Sequence, residues 1–253
     1  MANTPAFILR SGRRAAPAPS RRTRPRRVLV AAIAAFALAA GTSTARAERL
    51  DLDTLVRQFS AVAFEHEYGG AHRAGRLIKW TRPIRVQLRG LDADRYRKEV
   101  ADQLKRLSKL TGLSIALQAW WEVVGTPELE VNFVIYAPKG PGLKRTACAT
   151  RLHDQDYRLL RAEIYIASGD PEVRRHCIAE EITQALGLAN DSALIGESIF
   201  NDRSARASLS KADALILRAL YDKELRPGMT RDEALPIARA ILKRLLGEPG
   251  RAQ

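Results

Sequence analysis

A short run of acidic and amide residues near position 180 has the spacing needed for metal or acid–base chemistry. Glu180 and Gln184 are four residues apart, so on a helix their side chains lie on the same face. Glu181 follows Glu180 directly, and Asn190 or Asp191 comes shortly after the end of the predicted helix. These side chains could bind a cation, share a proton between carboxylates, or form the polar side of an ordinary surface helix.

The spacing is similar to that of a metzincin zinc helix, H-E-x-x-H-x-x-G-x-x-H, with every histidine replaced. Glu180, Gln184 and Asn190 stand at the three ligand positions. The resemblance implies that Glu181 is a candidate general base, with Glu180 beside it as a second candidate acid or base. Gly187 matches the glycine at which the chain turns, as expected where a helix ends.

The replaced histidines argue against zinc. Zinc prefers imidazole and thiolate, so an oxygen set of Glu180, Gln184 and Asn190 or Asp191 would hold it poorly. A harder cation suits oxygen ligands better, and a weak calcium or magnesium site stays open. Without a metal, Glu180 and Glu181 could still do acid–base work, because two close carboxylates can have well-separated pKa values. We expect no cofactor.

The same block resembles an uncharacterised family of bacterial exported proteins and lipoproteins, a domain of unknown function. The resemblance rests on E-E-x-T-Q-x-L-G-L-x-N-D at 180–191, S-I-F-N-D at 198–202 and R-P-G-M at 226–229, and it covers about residues 50–246. It implies a zincin-like fold with degenerate zinc positions. We expect a binding or interaction protein; the alternative is a peptidase-like hydrolase that uses Glu181 as general base with an atypical metal or none.

The first 47 residues have the composition of a secretory signal. Residues 1–27 contain several arginines and no acid, residues 28–40 are wholly apolar, and A-R-A at 45–47 has the form of a signal-peptidase site. Thirteen apolar residues are fewer than the roughly 20 of a membrane-spanning helix, which disfavours the alternative of a single-pass anchor. We expect cleavage near Ala47 and a periplasmic or extracellular protein without a membrane span.

Removal of this signal changes the charge balance. The formal net charge is +14, but nine of the 42 lysines and arginines lie in the first 47 residues, which contain no acid, so residues 48–253 carry +5. This small excess disfavours nucleic-acid binding and is compatible with anionic envelope surfaces. The expected partner is an envelope protein or polymer.

The chain contains two cysteines, Cys148 and Cys177. Two cysteines in an exported protein predict a disulfide bond. Closure of a loop of about 30 residues would stabilise the fold by roughly 3–4 kcal/mol through the loss of unfolded-state entropy. The bond would join the region before the Glu180 helix to the sheet.

Hydrophobic periodicity predicts an α+β fold: a small mixed sheet packed by two helices, plus a C-terminal helical lobe. We expect one domain over residues 48–250, with the sheet in 48–190 and the helical lobe in 191–250. The predicted helices are 51–64, 92–111, 171–188, 210–221 and 230–246, and the predicted strands are 80–88, 114–118, 130–137 and 161–167.

Overall fold

The computed structural model describes most of the chain that follows the predicted signal segment. The described residues are 50–65, 75–119, 121, 125–136, 147–167 and 169–247. All of them belong to one compact unit that spans residues 47–253. The signal segment and the cleavage site near Ala47 lie outside the described residues.

Five helices and five strands are found in these ranges. In chain order they are α1 (Leu52–Phe64), β1 (Ile84–Gly90), α2 (Ala93–Thr111), β2 (Ile115–Leu117), β3 (Leu129–Phe133), β4 (Cys148–Gln155), β5 (Arg158–Ile166), α3 (Pro171–Gln184), α4 (Lys211–Leu220) and α5 (Arg231–Leu246). The five predicted helices are all present. Strand β1 begins directly after Pro83, where proline, which cannot donate to the sheet, precedes the first paired residue.

Side-chain caps explain where most of the helices begin. At four helix starts the N-cap side chain accepts a backbone N–H of the first turn; these N-cap residues are Asp51, Asp170, Ser210 and Thr230. Asp92 precedes α2 without making such a bond, because its carboxylate forms an ion pair with Arg174 of α3. That ion pair joins the start of α2 to the start of α3.

The five strands form one mixed sheet in the order β2-β1-β3-β5-β4. Strand β1 pairs in parallel with β2 and β3, β3 pairs in parallel with β5, and β4 is antiparallel to β5 at the edge. Helix α2 packs on β1 and β2, α3 packs on β4 and β5, and the two helices contact each other. The prediction of a small mixed sheet combined with helices is confirmed.

The two faces of the sheet differ in polarity, as strand alternation requires. Val131 of β3 pairs with Ile164 of β5, and both side chains are fully buried on the helix-covered face. On the opposite face Arg161 lies 3.2 Å from a carboxylate oxygen of Glu130 and 2.8 Å from one of Glu163. Helices α2 and α3 therefore pack on the apolar face, and the charged face lies on the other side of the sheet.

Helices α1, α4 and α5 pack together, so segments from both ends of the described chain lie side by side. Phe59 of α1, Leu215 of α4 and Ile241 of α5 are fully buried in the common core. Burial of each such side chain contributes about 1.5–3 kcal/mol. None of the helices in the described ranges has both the length and the apolar content needed to cross a bilayer.

Strand β4 is the element that the sequence pattern missed. It is an edge strand with exposed charged and polar side chains such as Arg151 and His153. Its sequence therefore lacks the regular alternation of apolar and polar residues by which a strand is predicted. It turns into β5 through Asp156 and Tyr157, whose φ angles are 51° and 61°. Two-residue hairpin turns usually have the sequence Asn-Gly or Asp-Gly. The pair Asp156-Tyr157 lacks the glycine, so the sequence did not predict this hairpin. The predicted strand 130–137 is also shorter, since β3 ends at Phe133.

Candidate functional site

Helix α3 is buried on all sides along its second half. Every residue from Cys177 to Gln184 is buried, and Glu180, Glu181 and Gln184 are only 6%, 5% and 7% exposed. This burial excludes the interpretation of these residues as the polar side of a surface helix. Because a buried carboxylate is costly unless it is paired or hydrogen-bonded, the partners of these side chains define the site.

His176 holds Glu180 from one turn earlier on α3. Its Nε2 lies 3.1 Å from Oε2 of Glu180, and its Nδ1 lies 2.7 Å from the carbonyl oxygen of Arg206. A carbonyl oxygen can only accept, so Nδ1 carries a proton and donates it, and Nε2 donates to the carboxylate when the ring is charged. The hydrogen bond to Glu180 is the main cause that raises the pKa of His176, and burial opposes it.

The stabilisation by this pair is expected to depend on pH. Because the folded-state pKa of His176 lies above its usual value of 6.5, the contribution is complete below that value and is lost as the pH rises through the raised pKa. Proton NMR titration of the His176 ring should give the raised pKa. Urea unfolding at a series of pH values should show that the free energy of unfolding falls as this contribution is lost. In the folded Glu180→Gln variant the pKa of His176 should fall; an unchanged value would contradict the assignment.

Two carboxylates from the loop after α3 join Glu180. Carboxylate oxygens of Glu180, Asp191 and Asp202 lie within 4.8 Å of one another, and we call these three residues the acidic cluster. Gln184 donates from Nε2 to Oδ1 of Asp191 at 2.7 Å. Asn190 instead donates from its amide to a backbone oxygen of α1 at 3.3 Å. Of the two residues proposed for the third position, Asp191 is therefore the one beside Gln184.

A buried aspartate on α4 fixes the loop that supplies this cluster. Asp213 is fully buried and accepts from Oγ of Ser198 at 2.6 Å, from the backbone nitrogen of Ile199 at 3.1 Å and from that of Ser210 at 2.7 Å. Asp202 follows Ile199 by three residues in the chain. The hydrogen bonds of Asp213 therefore set the path on which Asp202 reaches Glu180.

Glu181 lies between α3 and the edge strand β4. Thr150 of β4 donates from Oγ1 to Oε2 of Glu181 at 2.5 Å. Carboxylate oxygens of Glu180 and Glu181 and the sulfur of Cys148 lie within 4.8 Å of one another. Two carboxylates at this separation interact electrostatically. Glu181 is thus adjacent to both Glu180 and the disulfide, and it already accepts one strong hydrogen bond.

The predicted disulfide is confirmed. Cys148 of β4 and Cys177 of α3 are bonded, with Cα atoms 5.9 Å apart. The bond lies less than one turn before Glu180 and ties α3 to the edge strand that carries Thr150. It therefore holds together the two elements on either side of Glu181.

Removal of this disulfide is expected to lower the free energy of unfolding by about 3–4 kcal/mol, because the unfolded chain then gains the entropy of the open loop. The variant is the double substitution of Cys148→Ala and Cys177→Ala, and the measurement is urea unfolding with and without reductant. Reductant should lower the free energy of unfolding of the unaltered protein to that of the variant and should leave the value of the variant unchanged. Two reactive thiols in the unfolded, unreduced protein would contradict the bond.

Gly187 forms the turn that follows α3. Its φ is 110°, and a Cβ at this position would lie 2.3 Å from the carbonyl oxygen of Ile78. The indole of Trp80 donates to the carbonyl oxygen of Ala185 at 2.8 Å, and the hydroxyl of Tyr221 donates to the next carbonyl oxygen at 2.8 Å. The unpaired carbonyl groups at the end of α3 are satisfied in this way.

The zinc that the metzincin resemblance implies does not fit these side chains. Glu180 and Asp191 offer carboxylate oxygens, and Gln184 turns its amide nitrogen toward Asp191. Protein zinc sites are built mainly from histidine and cysteine, but both cysteines are in the disulfide and both ring nitrogens of His176 are engaged. The donor chemistry of this site is therefore that of acids and amides.

Two contacts of the site were not anticipated from the sequence. His176 stands four residues before Glu180, so the i, i+4 spacing of a helical ion pair is present in the sequence. Thr150 gave no signal because strand β4 was not predicted. Both residues act on the two glutamates that the motif singled out.

The described part of the chain thus combines a five-stranded mixed sheet with five helices, one of which is fixed by a disulfide and contributes the buried Glu180 to the acidic cluster. Residues 53–240 match the family described as a protein of unknown function, DUF2927. Since this match covers more than half of the chain, the chain belongs to that family, which confirms the resemblance to an uncharacterised domain. A comparison with curated proteins finds no match.

Proposed function

We propose that this protein is an exported cell-envelope protein that uses a zincin-like fold for binding, without zinc and without peptidase activity. The donor set of α3 carries the proposal. Where a zinc peptidase has two histidines, this chain has Glu180 paired with His176 and Gln184 hydrogen-bonded to Asp191. Both ligand positions are buried, each side chain there is engaged by a neighbouring side chain, and neither is itself a histidine or a cysteine.

The scaffold part of the proposal is supported by the order of the elements. Helix α3 follows β5, packs with α2 on the sheet and carries Glu181 beside the edge strand β4. Gly187 then turns the chain so that Asp191 returns to Gln184. A mixed sheet packed by two helices, with a glycine turn after the motif, agrees with what the zincin resemblance implies.

Export is supported by the disulfide and by the composition of the first 47 residues. Disulfide bonds persist in oxidising compartments such as the periplasm and the cell exterior. Without the signal the chain carries a net charge of +5, so we propose an envelope protein or polymer as partner and no nucleic acid. The N-terminal sequence of the protein recovered from the envelope fraction should begin near residue 48.

The second candidate is a hydrolase in which Glu181 acts as general base. The observation that favours it is the distance of at most 4.8 Å between carboxylate oxygens of Glu180 and Glu181, which makes them a pair of interacting acids of the kind used in acid–base catalysis. A general base must be within hydrogen-bond reach of the proton that it abstracts. Glu181 instead accepts from Thr150 at 2.5 Å, which favours the binding role.

Metal analysis and one isosteric variant distinguish these functions. We expect purified protein to contain no stoichiometric zinc and to leave labelled casein uncut. The hydrolase predicts cleavage that Glu181→Gln abolishes without loss of the fold, while Glu172→Gln, a substitution at an exposed position of the same helix, retains it. Stoichiometric zinc, or cleavage that depends on Glu181 in this way, would contradict the proposal. Stoichiometric calcium or magnesium would instead place a weak oxygen-ligand site at the acidic cluster, the possibility that the sequence leaves open.

A further inference from the structure

We propose that a cavity between α2 and α3 binds a small zwitterion, a molecule of about the size of one amino acid that carries an ammonium and a carboxylate group. The cavity has a volume of about 260 Å³. Glu99, Asp102 and Arg106 line it from α2, Arg175 and Ile178 line it from α3, and Ala207 lines it from the loop before α4. The charge of Asp102 is paired with Lys98, whose Nζ lies 2.5 Å from its carboxylate. It lies on the opposite flank of α3 from strand β4 and does not depend on any chemistry of Glu181.

Glu99 supplies the place for the ammonium group. Its Oε1 accepts from Nε of Arg175 at 3.1 Å. The side chain as a whole is 41% exposed, but its Oε2 atom is shielded from solvent and has no hydrogen-bond partner among the described residues. A buried acceptor without a donor is costly, and an ammonium group offers three donors and a full positive charge. A ligand amine would therefore satisfy an atom that the protein itself leaves unsatisfied.

Arg106 and Arg175 supply the place for the carboxylate. Arg106 is exposed and forms no ion pair with another residue in the described part of the chain. Arg175 uses only its Nε on Glu99, so the outer nitrogens of its guanidinium group stay available. Planar guanidinium groups bind carboxylates through two parallel hydrogen bonds, which gives both strength and orientation.

The floor and the size of the cavity restrict the rest of the ligand. Ile178 and Ala179 are 3% and 2% exposed and form an apolar floor, and Gln103 is fixed beside it by donating to the carbonyl oxygen of Ala179 at 3.2 Å. Sites for drug-sized molecules have volumes of about 300–1,000 Å³, so this cavity suits a smaller molecule. A carboxylate with an arginine directly beside it, above a short apolar floor, matches a free amino acid with an aliphatic side chain, whose two charged groups are also close together.

Calorimetric titration with L-alanine and L-leucine tests the proposal, with N-acetyl-L-leucine and L-leucinamide as the forms that lack one charge each. We expect a free amino acid to bind at least about tenfold more tightly than either capped form, which corresponds to about 1.4 kcal/mol. Equal binding of free and capped leucine would overturn the proposal. So would the absence of saturable binding by both free amino acids.

Substitutions locate the binding. Glu99→Gln keeps the size of the side chain and should weaken binding about tenfold by removing the charge that faces the ammonium group. Arg106→Met should weaken binding by a similar factor. It should also reduce the difference in affinity between leucine and leucinamide, because leucinamide has no carboxylate for Arg106 to bind. Arg203→Met, at an exposed arginine of the loop before α4, is the matched control and should leave binding unchanged. An Arg106→Met protein that binds as the control does would place the ligand elsewhere and refute this site.

Discussion

Replacing Gly187 with alanine is expected to lower the free energy of unfolding by about 4 kcal/mol. A φ of 110° is a conformation that residues with a Cβ rarely adopt, and holding one there costs about 1–3 kcal/mol. The new Cβ would also lie 2.3 Å from the backbone oxygen of Ile78, so the turn or the segment at Ile78 must move, at a further cost of about 1–3 kcal/mol. Urea unfolding followed by circular dichroism measures the change.

Two other glycines separate these causes. Gly112 has a φ of 74° but a Cβ there would meet nothing within 4 Å, so Gly112→Ala should cost only the backbone strain. At Gly196 a Cβ also has open space, and φ lies outside the left-handed region, so Gly196→Ala should change stability by at most about 0.5 kcal/mol. If Gly187→Ala costs no more than Gly112→Ala, the close approach to Ile78 does not determine the structure of this turn.

The helices were predictable because they carry their own signals. The apolar stripe of α5 and its N-cap Thr230 are local features, and both are as expected. The edge strand β4 carries neither an apolar alternation nor a glycine turn, and it forms because β5 offers it eight partner positions across a hairpin. Strand pairing at an edge is decided by the neighbouring strand, which a single-sequence pattern does not contain.

The candidate site shows the same division. The spacing of Glu180 and Gln184 correctly places them on one face of α3, but polar residues at that spacing are usual on an exposed helix face, so the spacing does not predict that they are buried. The loop after α3 brings Asp191 and Asp202 to Glu180, and strand β4 contacts Glu181 from the other side. No periodicity specifies the path of that loop, because it is set by hydrogen bonds to Asp213 on α4.

The loop supplies two of the three carboxylates of the acidic cluster, and hydrogen bonds to Asp213 hold the middle of that loop in place. Asp213→Ala is expected to lower the free energy of unfolding by about 4–5 kcal/mol. The substitution leaves the hydroxyl of Ser198 and the backbone nitrogen of Ile199 without their acceptor at fully buried positions, and the backbone nitrogen of Ser210 without its acceptor at a half-buried one. Each buried donor that loses its partner costs about 1–3 kcal/mol. Urea unfolding gives the loss of stability, and proteolysis of the loop at low protease concentration reports its local opening.

Glu233 of α5 is the matched control, because it occupies the same third position of a capping box as Asp213 does in α4. Its bonds to Thr230 are exposed, so Glu233→Ala should cost only about 1 kcal/mol, the usual value for a lost cap. The difference between the two variants isolates the effect of burial and of the bonds to Ser198 and Ile199. Equal losses would mean that Asp213 acts only as a helix cap, and that the path of Asp202 to Glu180 is fixed by other contacts.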